Sequence, residues 1–350
     1  MEKIKFYGID ILKTIAILSV LSVHFLLNTE FYNSPIIGTS LSFQVFYRQL
    51  FIICVPLFLF VTGFLNWRKI SFDKKYLVGI YVVLGTYFIY SILSIILRIF
   101  LFDENKSVLE WIHSIFTFSS NGYSWYVEMY IGLVLLIPFF NRVAQSISTK
   151  KEFQLFLLAL LLLTAIPNFW NNFSNDIPIL SAIEFPTFWV EFYPITYYFI
   201  GVYLRRFSIN ISSVNAFILF CILTFLNGLF VYLNNSGNEF SSNVGGYASL
   251  LVTLQSVALF ISIYKATIPQ TTFGKFISYP IVSISSLTLD IYLASFITDK
   301  VIYSYFTENY FTTQKYAILY APIIIFSSFI LAYLISLLRN KFIPLKLLKK

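Results

Sequence analysis

Two histidines, His24 and His113, are the only side chains in this 350-residue sequence that ordinarily titrate near neutrality, so they head the candidates for a general acid or base. His24 follows Lys13 by eleven residues within Gly8 to Leu27, GIDILKTIAILSVLSVHFLL. Eleven residues are close to three helical turns, so on a helix the ammonium and the imidazole share one stripe, about 16 Å apart along the axis. Asp10 stands three positions before Lys13. This spacing suits a reaction in which Lys13 holds an anionic donor at one depth while His24 removes a proton at another. Two plainer readings compete. Asp10 and Lys13 form an i, i+3 ion pair that snorkels to a membrane surface, and His24 is a core histidine satisfied by a hydroxyl such as Ser19 or Ser22. His113, in the amphipathic run SVLEWIHSIF, reads better as a surface histidine at headgroup level.

Four carboxylates fall within long apolar runs: Asp10, Glu128, Glu191 and Asp290. Glu128 lies close to the depth of His24 and is placed to orient its imidazole or to bind a sugar hydroxyl. Glu191 is so near the end of its run that solvation alone accounts for it. Asp290, in SISSLTLDIYLASF, is near mid-span, and its natural partners are Lys13 or the hydroxyls of Ser285, Ser286 and Thr288. A charge inside a spanning segment costs about 2.5 to 3.5 kcal/mol on insertion scales, so such groups normally face the bundle interior and mark a functional path.

A basic stretch, WRKISFDKKY, gathers Arg68, Lys69, Lys74 and Lys75. It reads either as an ordinary positively charged inner loop or as a dock for a phosphorylated cytoplasmic ligand, because clustered cations bind phosphates through charge-assisted hydrogen bonds. The sequence has no glycine-rich phosphate loop, Walker motif or G-x-S-x-G elbow, which disfavours ATP hydrolysis and a serine hydrolase of the soluble type. Its two cysteines, Cys54 and Cys221, sit in separate apolar runs without a disulfide framework or a metal-binding spacing, and are expected to be small core residues.

Behind these side chains stands a composition that is 58% hydrophobic, 20% aromatic and only 11% charged. Apolar runs of about 20 residues, the length that fits a bilayer core, recur from end to end. The expected spans are Gly8 to Leu27, Phe46 to Asn66, Tyr76 to Phe100, Trp125 to Phe140, Phe153 to Phe169, Trp189 to Leu204, Ser213 to Leu233, Tyr247 to Tyr264, Ile277 to Tyr303 and Ala317 to Leu338. The fold class is therefore all-α, a polytopic membrane protein of about ten transmembrane helices with residues 1–350 forming one domain. With the N-terminus inside, eighteen basic residues fall on the inner side, Arg68, Arg142 and Arg339 among them, and five on the outer side, including Arg48, Arg98, Lys106 and Lys300. This asymmetry places both termini in the cytoplasm. The net charge of +8 is scattered between spans, so topology explains it better than a nucleic-acid partner does. The first segment reads as a retained span rather than a cleaved signal.

Several loose motifs occur in order along the chain. Ile9-Asp10-Ile11-Leu12-Lys13 is followed by His24, CVPLFLFVTGFL runs from Cys54 to Leu65 with Thr62 at the usual Ser position, and SWYVEMYIGLVLLIP from Ser124 to Pro138. YYFIGVYL follows from Tyr197 to Leu204 and LTLDIYLASF from Leu287 to Phe296. In these segments the chain resembles the acyltransferase 3 family of bacterial membrane-bound O-acyltransferases. The resemblance implies a multi-pass enzyme of the bacterial cytoplasmic membrane that moves an acyl group, usually acetyl, from cytoplasmic acetyl-CoA to a hydroxyl of an exported polysaccharide or glycolipid, without a metal.

By that resemblance His24 is the catalytic base, and Lys13, beside Asp10, replaces the more usual arginine. Lys13, Arg68, Lys69, Lys74 and Lys75 would grip the donor, while Ser124, Trp125, Glu128, Asp290, Tyr292 and Ser295 would meet the acceptor. The pantetheine arm, roughly 15 to 20 Å long when extended, can thread upward while its phosphates stay at the basic loop. Departures from the family pattern are Ser295 and Phe296 in place of a late His-Pro, Ser124 in place of a histidine before Trp-Tyr, and the lack of the paired arginines that often open the third span, where Lys74 and Lys75 precede and Tyr76 and Gly79 follow. They resemble the subgroup tied to surface polysaccharide and intercellular adhesin export. A carrier of lipid-linked sugar or polysaccharide that transfers no acyl group is the alternative, and a sensory or scaffolding membrane protein is a third class.

Overall fold

Inside a bilayer every backbone N–H and C=O needs a partner within the protein, which restricts apolar spans such as these to helices. The computed structural model describes residues 7–174, 183, 186–241, 244–269, 271–311 and 313–345. Lys3, Lys5, Asp176, Glu184, Lys346, Lys349 and Lys350 lie outside the described residues. Among the described residues there is no strand, only an isolated bridge between Ile36 and Ser236. The helices are α1 (Tyr7–Leu27), α2 (Gly38–Phe51), α3 (Cys54–Asn66), α4 (Lys74–Phe102), α5 (Val108–Phe116), α6 (Trp125–Ser146), α7 (Lys150–Thr164) and α8 (Ile166–Ser174). They continue with α9 (Tyr193–Arg206), α10 (Ser213–Asn235), α11 (Leu250–Ile263), α12 (Thr272–Ser286), α13 (Thr288–Asn309), α14 (Gln314–Ala317) and α15 (Ala321–Phe342).

Each expected span has a helical counterpart, but not all are single rods. Among the described residues, six helical stretches are long and apolar enough to cross a membrane, or eight if two bent pairs count as spans. One such pair is α7 with the start of α8, bent by 47° at Ala165. The expected span Ile277 to Tyr303 is likewise interrupted: α12 ends at Ser286, and α13 begins after Leu287, whose φ and ψ of −115° and 12° are not helical. α9 and α11 are only 14 residues each.

The helices form two compact units. The first comprises Met1–Trp67, Val143–Ser286 and Thr313–Leu319. Its centre is α1, in which no residue from Tyr7 to Leu26 is exposed and which packs against α2, α3, α11 and α12. Small residues set the close crossings. A Cβ on Gly63 would lie 2.0 Å from the Tyr198 carbonyl oxygen, and one on Gly201 would lie 2.2 Å from that of Phe60. This reciprocal pair lets α3 and α9 touch backbone to backbone. Gly201→Val therefore separates the two helices, and the variant is expected to lose its cooperative thermal transition in nanodiscs. An unchanged Tm would show that the crossing is not required. Arg206, in the last turn of α9, donates to the carbonyls of Ala144 and, at 3.0 Å, Ile147, closing the unsatisfied C-terminal end of α6. Cys54 is buried as expected, whereas Cys221 is exposed on α10.

The second unit comprises Arg68–Arg142, Leu287–Thr312 and Tyr320–Lys350. Here α13 packs on α15 and α4, and α5 packs on α4. Asp73 caps α4, accepting from the Tyr76 amide at 2.7 Å, and Ser107 with Glu110 forms a capping box on α5. The amphipathic run forms a helix with Val108, Leu109, Ile112 and Phe116 exposed. Trp111 turns inward beneath Arg98 and Lys106, its ring 5.1 and 5.0 Å from their charged groups. His113 lies at the surface. A hydrogen bond from Arg98, with Lys106 nearby, holds the Glu104 carboxyl below the usual carboxylate range. Glu191, counted among the membrane carboxylates, is exposed in a 3-10 turn ahead of α9.

Candidate functional site

In the first unit the candidate residues lie on one unbroken helix. Because α1 runs from Tyr7 to Leu27 without interruption, the eleven-residue interval sets Lys13 and His24 within about 20° on one stripe. Neither side chain is exposed: Lys13 is half-buried and His24 is 8% accessible. Position alone thus excludes a lipid-facing imidazole. At the lower end of the stripe, Asp10 and Lys13 both reach Ser285 near the end of α12. Ser285 Oγ donates to Asp10 Oδ1 at 2.6 Å, and Lys13 Nζ donates to the Ser285 carbonyl. Thr14 adds bonds to the carbonyls of Asp10 at 3.0 Å and Ile281 at 3.4 Å. The acid of the Asp10/Lys13 pair is therefore engaged by a neighbouring helix, not carried to the surface. Ser285, expected beside Asp290, serves Asp10. At the upper end, the His24 carbonyl accepts from both the backbone amide and the side-chain amide of Asn28, at 2.9 and 2.8 Å, which closes the last turn of α1.

The second unit carries the other candidates at the two ends of α6. At one end the basic stretch is exposed but firmly held. Asn141 donates to the Lys69 carbonyl at 2.7 Å and Arg142 to that of Ile70 at 3.1 Å, while Lys69 Nζ lies 5.4 Å from the Tyr76 ring centre. Arg142 thus joins Arg68, Lys69, Lys74 and Lys75 on one solvent-facing cluster of cations. Such a donor set fits the phosphates of a nucleotide carrier.

At the other end, the turn before α6 is tied to α13. Asn121 donates to the Leu293 carbonyl at 3.0 Å and to Ser94 Oγ at 3.1 Å. Tyr123 donates to Asp299 Oδ2 at 2.8 Å, and Tyr292 donates to the Tyr123 carbonyl. Gly122 allows this approach, since a Cβ there would lie 2.8 Å from the Phe296 ring. From this anchored turn Trp125, at 40% exposure, and Glu128 project on one face of α6. Glu128 makes no hydrogen bond or ion pair among the described residues. Ser124 is buried, and its hydroxyl has no hydrogen-bond partner among them. Ser295 is also buried, its hydroxyl spent on the Tyr292 carbonyl at 2.7 Å. Asp290 is buried and forms an ion pair with Arg339.

Three polar residues were not legible as members of the interior. Arg339, which charge asymmetry places on the inner side, is 7% exposed on α15. Asp299, absent from the candidates drawn from the sequence, is 2% exposed and accepts from Tyr123 and Ser328. Arg48, counted with the outer loops, is 4% exposed on α2. The usable signal in each case was a charge within one turn of an apolar run.

A family model described as an acyltransferase domain matches residues 6–337. No curated protein and no solved structure matches the chain.

Proposed function

The chain belongs to the acyltransferase 3 family, and from that premise we propose that this multi-pass membrane acyltransferase moves an acetyl group from cytoplasmic acetyl-CoA to a hydroxyl of an exported polysaccharide or glycolipid in the bacterial plasma membrane. The observation that supports this reading is the single helix α1, which holds Lys13 and His24 on one unexposed stripe.

Acyl transfer from a thioester to an alcohol requires the hydroxyl proton to leave as the oxygen attacks. His24 takes that proton, the new C–O ester bond forms as the C–S bond breaks, and the imidazolium returns the proton to the departing thiolate. Lys13 supplies positive charge three turns away on the same helix. Arg68, Lys69, Lys74, Lys75 and Arg142 bind the donor's phosphates. Trp125 offers a ring face for a sugar and Glu128 an acceptor for its hydroxyls. The test is release of free CoA from acetyl-CoA by the purified protein with an oligosaccharide acceptor. Release that depends on the oligosaccharide supports the proposal, and its absence with every hydroxyl acceptor tried would contradict it.

The basic cluster yields a separate expectation. Lys74→Glu with Lys75→Glu raises the KM for acetyl-CoA about tenfold, a loss of roughly 1.4 kcal/mol, while the acceptor KM stays unchanged. Equal rises in both constants, or no rise, would remove the cluster from donor binding.

Transport of a lipid-linked sugar is the second reading. It is favoured by the interruption at Leu287 and the bend at Ala165, since broken helices commonly build carrier sites. Translocation of a labelled glycolipid without CoA release would select it.

A further inference from the structure

Arg48 is a buried cation whose described neighbours bring it no negative charge. It is 4% exposed on α2, and among the described residues no carboxylate pairs with it. Its Nε donates to the Tyr32 hydroxyl at 3.0 Å and its Nη1 to the Gly245 carbonyl at 2.8 Å. The Phe240 ring lies against the guanidinium, 4.2 Å from Cζ, with the Tyr32 ring at 5.6 Å. The remaining amine, Nη2, donates to no described group, yet it is not among the polar atoms sealed from solvent. The small residual exposure of this side chain therefore includes the amine that has no partner among the described residues.

The surroundings reinforce this imbalance. On the neighbouring turn, Asn227 donates to Gln255 at 3.0 Å, and Gln49, oriented so that its amide oxygen accepts from Arg48 Nη1 at 2.9 Å, completes a wall of neutral amides. The nearby Cys54 thiol and Tyr247 hydroxyl, 3.7 Å apart, are neutral as well. Residues 28–37 after α1 and 236–241 after α10 lie at one end of the unit, joined by Ile36 N to Asn238 O at 2.9 Å and Gly237 N to Ile36 O at 3.1 Å. They supply the two rings that cover Arg48. Carbonyl, hydroxyl and ring contacts offset only part of the cost of holding a charge away from water, and an oxyanion on the free amine would supply the rest.

We propose that Arg48 is the cation of a phosphate-binding site at the loop end of this unit, with Nη2 as the donor left for the ligand. A planar guanidinium already fixed at Nε and Nη1 is preorganised for an oxygen of a phosphate group. The phosphate comes either from a lipid headgroup or from a free phosphate in solution. This site stands independently of acyl transfer, because it uses none of the residues assigned to that reaction.

The whole 350-residue chain is assayed by thermal unfolding in two formats, with chloride at matched ionic strength as the control. Lipid-depleted protein in detergent is titrated with inorganic phosphate and, as the second format, with phosphatidylglycerol against phosphate-free diacylglycerol. A rise in Tm of about 2 °C or more in either format, beyond the controls, is expected for the unaltered chain. A response to phosphate assigns the site to a free anion, and a response to phosphatidylglycerol alone assigns it to a lipid. Arg48→Met abolishes the rise, and if that variant does not fold, Arg48→Lys, which keeps the charge and loses the planar fork, at least halves it. No rise in the unaltered chain in both formats, or an undiminished rise in the variants, overturns the proposal.

Discussion

His24→Ala lowers acetyl transfer by at least about a hundredfold, the scale of a lost general base, while the protein keeps its membrane fold. The fold should survive because the hydrogen bonds that close the end of α1 run from Asn28 to the His24 carbonyl, not to the ring. The imidazole sits on a helix with no exposed residue before Leu27, so truncation leaves a local gap without opening a helix surface to lipid. CoA release measured beside the thermal unfolding of the same preparation separates chemistry from stability. A variant with a native transition and a native rate would remove His24 from the reaction. A variant that fails to fold hands the comparison to His24→Gln, which keeps hydrogen-bonding capacity but cannot act as a base.

The second large effect lies in stability. Asp290→Leu leaves the Arg339 guanidinium buried on α15 without its carboxylate, with the Ile343 carbonyl, which accepts at 3.1 Å, and the nearby Tyr90 hydroxyl as the remaining partners among the described residues. Removing one member of a buried pair typically costs about 3–5 kcal/mol, more than the pair itself contributes relative to apolar residues. Asp290→Leu combined with Arg339→Met should therefore recover most of the loss. Denaturant unfolding of the single and double variants in the same detergent checks this. If the double variant is as unstable as the single one, the pair is not what holds α13 to α15.

These results bear on how much a sequence of this kind discloses. The α1 helix and its polar stripe were readable because run length and residue spacing are local quantities, and a continuous helix converts spacing directly into geometry. The basic cluster was readable for the same reason, and Arg142 joined it only through its bond to the Ile70 carbonyl, 72 residues away. The interruption at Leu287 was not readable, since neither Pro nor Gly marks the site and the apolar run continues through it. Charges near the ends of runs were the main source of misplacement. Arg48 lies inside a helix that begins at Gly38, eight residues before the start expected from hydropathy, and Arg339 lies inside one that continues to Phe342. Hydropathy averages a charge against its neighbours, whereas burial depends on the partner brought by another helix. Asp290 found Arg339 in this way, and Tyr123 found Asp299.

The most direct examination of the account is to incubate the protein in nanodiscs with acetyl-CoA labelled with carbon-13 in the acetyl group and with an oligosaccharide, then record the carbon NMR spectrum of the recovered sugar. The account predicts a labelled acetyl ester on a sugar hydroxyl with the unaltered chain and none with His24→Ala. An oligosaccharide that returns unlabelled while CoA stays acetylated, or one labelled equally well by the His24 variant, would contradict it.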